Sequence, residues 1–158
     1  MYSENYCVEL GTRSVLEISG LDSVKLLQGL VSNDVESVSA ENSIYAALLT
    51  PQGKFLYDFF IVQGDENTVL LDCERRHLEE ILMKLKIYKL RSEVNLRDAS
   101  DDQKIFVGFG EKILEFLDLP KRPGATRSYR GGHVMVDPRH ELMGVRIILP
   151  SGSVVSER

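Results

Sequence analysis

YAALLTPQGKFLYDFFIV, residues 45–62, reads as a β-hairpin. Residues 45–50 supply a first apolar strand and residues 55–62 a second, joined through Thr50-Pro51-Gln52-Gly53. Proline presets φ for the first central turn position, and glycine takes the left-handed position without steric cost. One carboxylate, Asp58, interrupts the second strand between Tyr57 and Phe59-Phe60. Alternation could turn it to solvent, since half the residues of a half-buried strand face outward. If it faces inward it needs a partner, because a buried lone carboxylate is costly. The inward reading is a pocket for an amine or a heterocycle.

Working outward, Gly64-Asp65-Glu66-Asn67 is a second turn leading into a strand at 68–71, so three strands follow in meander order. Such an order implies antiparallel pairing. Upstream, residues 13–19 read as a strand that Gly20 breaks, and Asp22 is placed to cap a short helix through about Leu30. Downstream, Leu78, Ile81, Leu82 and Leu85 recur at helical spacing within a helix from Glu74 to about Tyr88. Asp72 or Cys73 stands at its entrance, where Asp72 reads as an N-cap. Strands at 93–97 and 104–109, a short helix at 111–117 and strands at 133–136 and 144–149 complete the pattern. The basic segment from Lys121 to Arg130 reads as a mobile solvated crossing. The fold class is α+β, a mostly antiparallel sheet with flanking helices, as one domain over 1–158.

Composition narrows the function. The chain has 158 residues, 43% hydrophobic and 27% charged, which suits one folded domain and not disorder. A net charge of −5 with no basic stripe sets aside direct nucleic-acid binding. No apolar run reaches membrane-spanning length, and neither a secretory nor a transit leader is evident. Two cysteines, Cys7 and Cys73, are too few for a disulfide framework and fit a reducing compartment; a cytoplasmic location is the expectation. His77, His133 and His140 share no metal-ligand spacing. Cys73 at a helix start could be a nucleophile, but no histidine base is evident beside it. Neither GxGxxG nor GxxxxGK[ST] occurs.

Four stretches together resemble the N-terminal half of the YgfZ-type folate-binding proteins, relatives of the glycine-cleavage T-protein (aminomethyltransferase). They are LEISGLDSVKLLQGLVSNDV, the hairpin, LLDCERRHLEEILMKLKIYKLRSEV and DPRHELMGVRIILP, in order and over nearly the whole chain. The resemblance implies tetrahydrofolate as ligand and a role in iron–sulfur cluster assembly or repair beside cluster-assembly partners. It places Tyr45 on the folate pocket, Asp58 near the reactive folate nitrogens, and Leu70 and Asp72 against the pterin. Asp72 stands where the aminomethyltransferase pattern has asparagine; a carboxylate still accepts from a pterin's N–H groups. Aminomethyltransferases usually carry a Gly-Gly turn and a paired Asp-Asp, whereas Asp58 is single here, so catalysis of one-carbon transfer is the alternative reading. A ligand-free interaction module is a third. The family's Lys-Gly-Cys-Tyr-x-Gly-Gln-Glu segment does not occur up to Arg158. The chain is therefore expected to be a short or truncated relative that binds folate weakly or not at all alone. Apolar surface left uncovered would favour a homo-oligomer.

Overall fold

The structure, a computed structural model, describes residues 4–155. The meander is β3 (Ile44–Leu49), β4 (Phe55–Gln63) and β5 (Thr68–Glu74), with the hairpin turn closed by the Gly53 N–H donating to the Thr50 carbonyl at 2.8 Å. Gly53 has φ +81°, the left-handed geometry expected of it. Strand β2 (Arg13–Ser19) pairs with β5, and β6 (Asn95–Asp98) pairs with β2, giving an antiparallel sheet of order β3-β4-β5-β2-β6. A second antiparallel sheet, of order β1-β7-β10-β9-β8, contains β1 (Tyr6–Glu9), β7 (Gln103–Phe109), β8 (Thr126–Tyr129), β9 (Gly132–Val136) and β10 (Val145–Pro150). The helices are α1 (Ser23–Gln28), α2 (Leu78–Lys89) and α3 (Ile113–Phe116). The α+β class expected from the sequence is the one observed.

Strand alternation sorts the side chains into layers. Phe59, Ile61, Leu16, Ile18 and Leu71 face α1 and α2, meeting Leu27, Ile81 and Leu85. Phe60, Val62, Val15 and Leu70 face the other way, onto Ile105, Met135 and Ile148 of the second sheet. Val134, Val136, Val145 and Ile147 on that sheet's outer face pack with Ile113 and Leu117. Each fully buried aliphatic or aromatic side chain contributes about 1.5–3 kcal/mol, so the first sheet, buried on both faces, is the stable platform for anything its residues hold.

Several local expectations change. Strand β5 runs on through Glu74, a 3₁₀ turn follows at Arg75–His77, and α2 begins only at Leu78. Asp72 and Cys73 are thus strand residues, not helix caps. Asp72 pairs with Val15 on one side and Phe60 on the other, so the sheet ladder claims its backbone. Asp22 makes no side-chain cap to α1; its carboxylate instead accepts the Glu93 N–H at 2.8 Å. This tie lies beside Gly20, where φ is +121° and a Cβ would sit 2.1 Å from the Glu93 carbonyl oxygen. The basic segment after Lys121 is not a free crossing. It contains β8, joined to β9 by a tight turn in which Arg130 and Gly131 both have positive φ, the hallmark of a type I′ hairpin. Strands β1 and β8 had no counterpart among the sequence-predicted elements.

Candidate functional site

Period-two alternation puts Tyr45, Asp58, Leu70 and Asp72 on one face of the first sheet, the face turned to the second sheet. The register aligns Tyr45, Phe60, Asp72 and Val15 in one row across β3, β4, β5 and β2. Leu70 is 5% exposed and pairs with Val62 in the adjacent row, within the inter-sheet core. Tyr45 and Asp58 are half-buried, toward the rim.

Asp72 is fully buried, and both its carboxylate oxygens are engaged by arginines. Arg13 Nε donates to Oδ1 at 2.7 Å and Arg13 Nη2 donates to the Asp72 carbonyl at 2.7 Å. From the second sheet, Arg146 Nε donates to Oδ2 at 2.9 Å. Arg146 Nη2 lies 2.8 Å from the same oxygen but at an angle that makes no hydrogen bond, so this buried donor is left unsatisfied. Burial pushes the Arg146 guanidinium down from its ordinary value, and the Asp72 charge opposes that shift. The triad therefore straddles the two sheets.

Phe60 is the hub of the cluster. The guanidinium carbons of Arg146, Arg139 and Arg13 lie 4.0, 5.0 and 5.6 Å from its ring centre, within the range of cation–π attraction. Arg139 is held by the buried Asp137, whose Oδ1 accepts from Nε at 2.9 Å and Oδ2 from Nη2 at 2.7 Å. The Tyr45 ring is 5.1 Å from that of Phe60, and the Arg139 guanidinium carbon lies 5.7 Å from the Tyr45 ring centre.

The Tyr45 hydroxyl donates to Asp58 Oδ2. Asp58 thus faces inward and its partner is an aromatic hydroxyl. Burial first, then the bond to Asp58 and its charge, push the Tyr45 phenol from 10.0 up to about 12, while Arg139 and Arg13 pull it back. Between those values the unfolded chain ionises Tyr45 and the native one does not. The contribution is therefore intact below pH 10.0 and lost as pH rises through about 12. Ultraviolet titration of phenolate should show one tyrosine with a midpoint near 12, moving down in Asp58→Asn; a Tyr45 midpoint at the ordinary value would contradict this.

Cys73 is fully buried, and burial pushes its thiol up to about 12. It stays a thiol at neutral pH and packs as a small apolar side chain. Among the described residues no group of three or more His, Cys, Asp or Glu is arranged to hold a metal ion. Sequence reasoning missed Arg13, Phe60, Asp137, Arg139 and Arg146. The DPRHELMGVR run carried three of them as charged residues on either side of a turn, a signal whose target lies in the facing sheet.

This two-sheet architecture is that of the glycine-cleavage T-protein. The aminomethyltransferase T structure from Bartonella henselae superposes with a TM-score of 0.74 at 14% identity, covering 94% of this chain and 42% of that one. A heterotetrameric sarcosine oxidase from Corynebacterium sp. U-96 superposes at 0.58 and 11% identity, over 92% of this chain and 75% of that one. No protein-family profile matches the chain. Among curated relatives, the mitochondrial iron-sulfur cluster assembly factor IBA57 homolog of Mycosarcoma maydis is 33% identical over 155 residues, covering 90% of this chain. Its Dictyostelium discoideum counterpart is 28% identical over 178 residues, covering 96%. The chain is similar to these assembly factors over nearly all of its own length. It spans 36% and 43% of the lengths of those two relatives. No helix among the described residues is long and apolar enough to cross a membrane.

Proposed function

We propose that this chain serves iron–sulfur cluster assembly, and that Tyr45 and Asp58 receive a tetrahydrofolate-type pterin. The names of its relatives support the first part. The second rests on one observation: an inward carboxylate paired to a phenol at the half-buried rim of the inter-sheet layer, backed by an aromatic ring. Asp58 would accept from ring N–H or amine groups, with the Tyr45 hydroxyl yielding that oxygen and pairing with the ligand. Leu70 would act only from the inter-sheet core, in the row beyond Phe60. Asp72 stands one layer back: its oxygens hold Arg13 and Arg146, and it acts on a ligand through them. Cluster-assembly proteins would be its partners, in the cytoplasm or, as in its relatives' names, the mitochondrion. The half-exposed Tyr6, Val8 and Phe109 on the second sheet offer an apolar surface for a partner or a second copy. No observation favours aminomethyl transfer over this reading.

Residues 1–158 tested by themselves are expected to bind 5-formyltetrahydrofolate weakly, through the half-buried Tyr45–Asp58 pair. Nuclear magnetic resonance titration should move resonances of Tyr45, Ala47 and Asp58, and Asp58→Asn should abolish the response. Micromolar affinity would overturn the weak-binding expectation. Shifts located elsewhere, or none at millimolar ligand, would leave the interaction module as the correct description.

A further inference from the structure

The outer face of α2 is apolar where a solvated helix face is ordinarily polar. Met83, Ile87 and Leu90 recur at i, i+4 and i+7, opposite the buried Leu78, Ile81 and Leu85, and are 65%, 63% and 84% exposed. Leu90, at the end of the helix, has φ +38°, a left-handed geometry that strains a leucine and suits glycine. An apolar side chain thus stands in water where backbone and solvation both disfavour it. Cations flank the ridge: residues 81–92 carry Lys84, Lys86, Lys89 and Arg91 and no acid, in a chain of net charge −5. None of the four makes an ion pair among the described residues. The helix dipole accounts for cations in the last turn, but not for the apolar ridge between them.

Beside Leu90 a groove of about 470 Å³ separates the end of α2 from α1. Leu26, Leu30, Tyr88 and Leu90 give it apolar walls, and Lys25, Lys89 and Arg91 rim it. Its one acid, Asp22, is tied to the Glu93 N–H. A second copy seated here would set the same cations against each other, and like charges across an interface are costly. An anionic bilayer would meet Glu79 and Glu80, exposed on the first turn of the same helix, and could not enter the groove. A peptide can do so. We propose that the groove and ridge dock an acidic amphipathic segment of another protein, its apolar side chains between Leu30, Tyr88 and Leu90 and its carboxylates on Lys86 and Arg91. Met83 and Ile87 extend that contact along α2. The surface lies on the helix side of the first sheet, away from Tyr45 and Asp58, and is independent of the pterin reading.

The test selects random displayed peptides of about 16 residues, a little over four helical turns, on the chain and counter-selects them on Lys86→Glu/Arg91→Glu. Both side chains are exposed, so the fold of that variant should persist. Enriched peptides should carry acids among apolar residues at helical spacing, and resonance titration should place them on Leu30, Tyr88 and Leu90. The double reversal should weaken an enriched peptide by about tenfold or more, the worth of two exposed charge pairs. High salt should weaken it too. Leu90→Gly separates docking from folding: it should weaken the same peptide and leave the urea midpoint equal or higher, because glycine accepts this backbone. No enrichment over the counter-selected variant, enriched peptides without acids, or shifts on another face would overturn the proposal. So would a midpoint lowered in Leu90→Gly, which would make Leu90 part of the fold's own packing. Binding to phosphatidylglycerol vesicles, or a concentration-dependent dimer, that Ile87→Ser/Leu90→Ser abolishes would overturn it in favour of a lipid surface or a second copy.

Discussion

Asp72→Ala should destabilise the fold by about 3–5 kcal/mol, the range for removing one partner of a buried ion pair. The deleted carboxylate is fully buried and serves two guanidiniums. Arg146 is 5% exposed and cannot turn to water without parting the sheets. Its Nη2 already lacks a hydrogen bond, and the substitution would orphan Nε as well. Arg13 also loses Nε–Oδ1 but keeps the Asp72 carbonyl, a main-chain acceptor, and its side chain is 14% exposed and can reach water. The larger part of the cost therefore sits on Arg146. Urea unfolding should show the drop in midpoint, and Asp72→Ala combined with Arg146→Leu should recover part of it, since the double change removes the stranded charge with its partner. A single-variant cost below about 1 kcal/mol, the value of an exposed pair, would mean that water reaches the triad.

The same residue marks where sequence reasoning stops. Alternation along β4 and β5 is local, but it left the direction of Asp58 open; the resemblance named Tyr45, Asp58, Leu70 and Asp72, and only the observed pairing register puts them on a common face. Gly53 and Pro51 announced the hairpin turn because their backbone demands are intrinsic. The partner of Asp72 is of another kind: Arg146 is 74 residues away and comes from the opposing sheet. Nothing in either neighbourhood encodes that encounter; it depends on how two sheets stack. The cap reading of Asp72 failed for a related reason. An acid a few residues before an amphipathic run suits a helix start, but strand pairing on both sides outweighed that preference. Strands β1 and β8 are four residues each and edge-lying, too short for periodicity to register. Arg130 disguised the β8–β9 hairpin by occupying a left-handed position more often filled by glycine or asparagine.

Phe60→Ala is the second large effect expected, and it separates packing from electrostatics. The ring is 2% exposed, and truncating a buried phenylalanine costs about 3–5 kcal/mol. Part of that is the face it offers to Arg146, Arg139 and Arg13. A charge next to a desolvated ring is worth up to about 2 kcal/mol, with Arg146, 4.0 Å from the ring centre, contributing most. Phe60→Leu keeps most of the apolar volume and removes that face, so its cost should be about 1–2 kcal/mol. The two variants also differ at the site. Tyr45 packs on this ring, and burial is the first cause of its elevated phenol. Alanine should let water reach Tyr45 and bring its midpoint down from about 12 toward 10.0, whereas leucine should move it less. Were the midpoint unchanged in Phe60→Ala, something other than this ring would be shielding Tyr45. Phe60 would then be a core residue beside the site and no part of what holds Tyr45 and Asp58 together.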